Sequence, residues 1–109
     1  MANEVTAKRG DTFGEDVIAY TDDAMTQPRD LTGVVIACQG KHMTGQKVTF
    51  SIAVIDAANG LFRIEADAAT TATWPPGLYD VDIEFKEGVA VNSTDTFRLN
   101  LLEDITNAN

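Results

Sequence analysis

Cysteine, histidine and positive charge are all scarce in this 109-residue chain, and each scarcity weighs against a class of function. The single cysteine, Cys38, rules out an intrachain disulfide. Its apolar neighbours Val34, Val35, Ile36 and Ala37 read as the surroundings of a buried, reduced thiol. A cysteine nucleophile needs a base beside it, and the only histidine, His42, falls in what reads as a turn. Lys and Arg number 8 against 17 Asp and Glu, for a formal net charge of -9. That excess repels a phosphate backbone, and the close basic pairs, Lys8 with Arg9 and Lys41 with His42, form no stripe. Nucleic acid and anionic membrane are therefore not expected partners. The acidity serves solubility and steering toward a basic protein. No apolar run comes near the roughly 20 residues that cross a bilayer. The opening Met1-Ala2-Asn3-Glu4 has neither the basic start nor the apolar centre of a secretory signal, so synthesis in a cytoplasm is expected. Glycine-rich phosphate loops, nucleophile elbows and metalloprotease helices are missing as well.

What is present is an ordinary globular composition, 44% hydrophobic and 23% charged. The length suits one domain over residues 1–109, with a polar tail from about 103, and leaves no room for a second core. Apolar residues recur at a period of two in Asp16–Tyr20, Leu31–Gln39, Val48–Val54, Leu61–Ala66, Leu78–Phe85 and Thr96–Leu102, which predicts strands. Val48, Phe50, Ile52 and Val54 are expected to face the core, with Thr49, Ser51 and Ala53 outward. Phe62, Ile64 and Ala66 form a second inward set, and Phe97, Leu99 and Leu101 another. Along the clearest alternation, Tyr79, Val81, Ile83 and Phe85 take one face while Asp80, Asp82 and Glu84 take the other. Turn signals separate these runs: the polar loop 21–30 with Pro28, a hairpin loop over Gly40–Gly45, Asn59-Gly60, the corner Trp74-Pro75-Pro76-Gly77, and Gly88. Ala68–Thr73 suits a short helical turn, and no segment sustains a helical period. The predicted fold class is all-β, an antiparallel sandwich of about seven strands or a small barrel.

Candidate chemistry is thin. Asp80, Asp82 and Glu84 stand at alternate strand positions, roughly 7 Å apart, too far to converge on one Ca²⁺. They read as a solvated sheet face, and Asp22-Asp23 lacks the spacing of a calcium loop. A domain this small offers little groove for a pair of hydrolytic carboxylates. No enzymatic activity, catalytic residue, metal, cofactor or small-molecule ligand is expected. Trp74, Tyr79 and Tyr20 would make an aromatic platform for a sugar if exposed, but Trp74 beside two prolines reads as a cap on the core. Gly77 reads as holding a backbone angle that a side chain would strain. The apolar residues Val35, Ala53, Leu61 and Leu102 fall where side chains should point outward, and they are the candidate interaction surface. Asn92-Ser93-Thr94 matches a glycosylation sequon by chance.

Several segments, in order, resemble the small immunoglobulin-like domain of tailed-phage tail and baseplate proteins. These are Arg9-Gly10-Asp11-Thr12-Phe13, Pro28-Arg29-Asp30-Leu31-Thr32-Gly33, Asn59-Gly60-Leu61-Phe62, the run from Thr71 through Trp74-Pro75-Pro76-Gly77 to Ile83, and Asp95-Thr96-Phe97-Arg98-Leu99 before Ile105-Thr106. The resemblance is to the N-terminal domain of baseplate upper proteins and related short prophage proteins. It implies an immunoglobulin-like sandwich that serves as an attachment or assembly unit of a virion, as a homo-oligomer or against other virion proteins. It implies no catalytic residue. Longer members of that group continue into trimerising or receptor-binding regions, whereas this chain stops just after its last strand. A carbohydrate- or protein-binding sandwich module is the alternative, and an exposed aromatic platform would mark it.

Overall fold

The computed structural model describes residues 4–21, 24–93 and 97–103. Asp22, Asp23, Thr94, Asp95, Thr96, Ile105 and Thr106 lie outside the described residues. Eight strands follow in order: β1 (Glu4–Lys8), β2 (Phe13–Ile18), β3 (Val35–His42), β4 (Lys47–Asp56), β5 (Leu61–Ala66), β6 (Gly77–Glu87), β7 (Ala90–Ser93) and β8 (Phe97–Leu102). A 3₁₀ turn over Ala57–Asn59 and one helical turn, α1 (Ala68–Thr71), complete the elements. Hydrogen bonding runs β1-β8-β6-β3-β4-β5-β2, with β7 beside β6.

The ten-residue β4 joins two layers. Its first residues, Lys47–Phe50, pair with β3, and Ser51–Asp56 pair with β5. The path therefore folds over on itself into a nearly closed sandwich. Phe62 of one layer meets Phe85 of the other edge-on with centroids 5.8 Å apart, and Phe13 meets Phe50 at 5.5 Å. The core between the layers also takes in Cys38, Val48, Ile64, Val81, Ile83, Leu99 and Leu101. Ile52 and Phe97 lie half-buried against it.

The expected all-β sandwich is present, but it is not purely antiparallel, because β1 lies parallel to β8. Nearly the whole chain separates these two strands, so no hairpin constrains their relative direction. β1 shows only a weak alternation, with the small residues Val5 and Ala7 half-buried and Glu4, Thr6 and Lys8 exposed. β7 is exposed on both faces and carries no alternation at all.

Three other expectations are corrected. Val54 does not reach the core and is 49% exposed. Beyond Phe50, β4 loses β3 as a neighbour and becomes an edge, with a register shift between Val54 and Asp56. Gly40 belongs to no hairpin loop; it is buried within β3, where an added Cβ would sit 3.3 Å from Val48 and 3.4 Å from Phe50. The turn is confined to Met43–Gln46. Residues 31–34 form a loop before β3, anchored by buried Leu31, whose N–H donates to the Ala57 carbonyl at 2.8 Å.

Candidate functional site

Trp74 is set by the short turn that precedes it. Asp67 caps α1 by accepting from the Thr70 N–H at 2.7 Å, and the Thr70 hydroxyl, followed by that N–H bond, holds the Asp67 carboxyl below its ordinary pKa. Thr71 is a mediocre helix former, yet its buried hydroxyl donates to the Asp11 carbonyl at 2.7 Å and accepts from the Gly10 N–H at 3.1 Å. This ties the loop before β2 to α1. The Trp74 N–H then donates to the Thr71 carbonyl at 3.1 Å, and the indole is buried edge-on to Phe50, with centroids 5.1 Å apart.

His42 ends β3 and is buried rather than in a turn. Its Nε2 lies 2.9 Å from the Pro76 carbonyl, which can only accept, so Nε2 carries the proton. Nδ1 accepts from the Thr44 N–H at 3.2 Å and faces the Thr44 hydroxyl at 2.7 Å. Gly77 has φ of 131°, and a Cβ there would stand 2.8 Å from His42 Nε2. Tyr79 is fully buried, edge-on to His42, and donates its hydroxyl to the Pro75 carbonyl. Burial raises the Tyr79 pKa. Trp74, Gly77, Tyr79 and His42 thus form one packed corner.

Burial, with a smaller contribution from Asp82, pushes the Cys38 thiol up to about 12. Cys38 and His42 share a face of β3 four residues apart, roughly 13 Å, which is out of reach for a thiol–imidazole pair.

Asp80, Asp82 and Glu84 line a shallow outer depression with Gln39, Lys41 and Lys47. Asp80 lies opposite Lys41 in register and 3.4 Å from Arg98, so its charge is spoken for within the sheet. Among the described residues, no three His, Cys, Asp or Glu side chains converge on a point where a metal would sit. The sugar platform has lost Trp74 and Tyr79 to the interior, and Tyr20 is half-buried in a bridge to Pro28.

Val35, Ala53, Leu61 and Leu102 do not form one surface. Val35 is 65% exposed on the outer face of β3, and Leu102 is exposed at the end of β8, with β6 between those strands. Ala53 and Leu61 are half-buried on the outer face of the other layer, where Leu61 stands opposite Ile18. The sequence reading missed Ile18, Met43, Val89 and Val91, which are also exposed. Met43 and Val89 carried a legible signal, since each is a large apolar residue in a turn.

A scan of protein-family models finds no match, and a search of curated proteins finds none either. Solved structures do match. The chain is similar to the N-terminal domain of phage TP901-1 ORF48. The TM-score is 0.59 at 19% identity, covering 93% of this chain and 88% of that one. At that identity the likeness is one of fold. It runs almost end to end, so the topology as a whole is shared rather than one hairpin.

Proposed function

We propose that this chain is a non-catalytic structural module of a tailed phage or prophage virion, working in a tail, baseplate or fibre attachment. The observation that carries this reading is the fold likeness to a domain of a phage protein over 93% of the chain. Two of the sequence motifs that resemble tail and baseplate domains, around Arg29 and around Gly60, add to it, because they meet at a junction between the layers. Arg29 lies over the Phe85 ring at 5.0 Å, and its N–H donates to the Ala19 carbonyl at 2.9 Å. Gly60 packs there with φ of 72°, and a Cβ would meet the Ala19 oxygen at 2.5 Å. Of the groups most suited to chemistry, Cys38 is buried in the core and His42 is held between the Pro76 carbonyl and Thr44.

On this reading the domain acts through its surface, toward other virion proteins or a second copy of itself, and its location is the particle. A tagged chain expressed in an induced, phage-producing host provides the test. Pull-down is expected to enrich tail or baseplate proteins over an untagged control. Recovery of those proteins at control level would contradict the reading.

A further inference from the structure

The outer β2–β5–β4 face and the β3–β4 turn differ in their local balance of charge. On the outer face of the β2–β5–β4 layer, Asp16 stands opposite Arg63, which stands opposite Ala53, and Gly14 stands opposite Glu65. The next row is Ile18, Leu61 and Asp56. Arg63 donates to Asp16 at 2.7 Å and lies 3.8 Å from Glu65. Three carboxylates, of Asp16, Asp56 and Glu65, thus flank one guanidinium and the apolar pair Ile18–Leu61.

The β3–β4 turn has the opposite character. Lys41 and Lys47 face each other across the hairpin. Every ion pair among the described residues uses an arginine, which leaves these two lysines without one there. Met43 is 70% exposed at this tip and shares a depression with Lys41, Leu78, Asp80 and Arg98. The tip carries Lys41, Lys47 and Arg98 against Asp80, and the other face carries Asp16, Asp56 and Glu65 against Arg63, so each has an apolar centre and a local charge excess of opposite sign.

β4 connects the two ends, from Lys47 at the tip to Asp56 opposite Leu61. Nine strand steps span about 30 Å, and the long axis of the molecule is 42 Å. A single copy cannot bring its tip to its own acidic face.

We infer that the β3–β4 turn of one copy docks on the outer β2–β5–β4 face of a second, with Met43 against Ile18 and Leu61 and the two lysines facing Asp16, Asp56 and Glu65. This rests on the proposed assembly role and names its self-contact. The surfaces differ, so the contact is head-to-tail and builds a ring or a row. Opposite charges make it weaken with salt, although the net charge alone suggests that like-charged copies would associate better as salt rises.

Sedimentation of the full chain over a concentration series, at low and at moderate salt, reads this directly. The mass is expected to rise above monomer and to fall back with salt. Lys41→Glu with Lys47→Glu, or Asp56→Lys with Glu65→Lys, should each weaken association by at least about tenfold. Mixing the two variants should restore it, since each reversed surface then finds its complement. Circular dichroism of both variants controls for folding. A monomeric wild type at both salts, association that tightens with salt, or a mixture that stays monomeric would each overturn the contact. Enrichment of tail proteins in the pull-down is independent of these outcomes, so failure here is distinguishable from failure of the virion reading.

Discussion

At Trp74, one side chain closes a corner that four segments share, through Phe50, Tyr79, α1 and the loop before β2. Trp74→Ala should cost about 3 kcal/mol or more through lost burial and a cavity, measured by denaturant unfolding. Gly77→Ala should also destabilise, since its φ of 131° disfavours any side chain and the new Cβ would press on His42. A Trp74→Ala protein with unchanged unfolding would remove the cap. Asp67 gives a pH signature. Its folded pKa lies below the ordinary 3.8, so its contribution is full above that value and is lost as pH falls through the depressed one. The melting deficit of Asp67→Ala should therefore be largest near neutrality and shrink in strong acid. Cys38 works in the other direction. A folded pKa raised from 9.0 to about 12 contributes stability that is complete below pH 9 and lost between those values. Thiol reagents should label it slowly in the native protein and rapidly once it is unfolded.

Among the elements, β6 was legible because its alternation is strict: Tyr79, Val81, Ile83 and Phe85 are buried and the acids between them are exposed. β5 and the inward half of β4 were legible for the same reason. β1 and β7 were not. A strand held by Val5 and Ala7 alone, or exposed on both faces, has a pattern that polar loops also have. Gly40 misled because glycine reads as a turn, whereas here it lets Val48, Phe50 and Val81 approach the β3 backbone. Val54 misled because period two records which side a residue faces and not whether another strand covers it. Val54→Ser should accordingly stay within about 0.5 kcal/mol of wild type, while Val48→Ala should cost about 2 kcal/mol or more; equal losses would mean that β4 does not become an edge. His42 was the largest gap at the candidate site. Its bonds to Pro76 and Thr44 depend on a corner contributed by distant sequence.

The whole molecule is an acidic sandwich whose distinctive chemistry lies on its surface. The acid stripe on β6 is tested by adding millimolar Ca²⁺, which should leave the melting temperature nearly fixed. A micromolar site would stabilise the fold by roughly 4 kcal/mol at a thousandfold excess. The central claim is that the chain is part of a virion, and its most direct test is quantitative mass spectrometry across a density gradient of particles from the strain that encodes it. The account predicts that the protein peaks with tailed particles, at a fixed ratio to the tail proteins across the peak. A protein that stays at the top of the gradient, with none in the particle fractions, would contradict it.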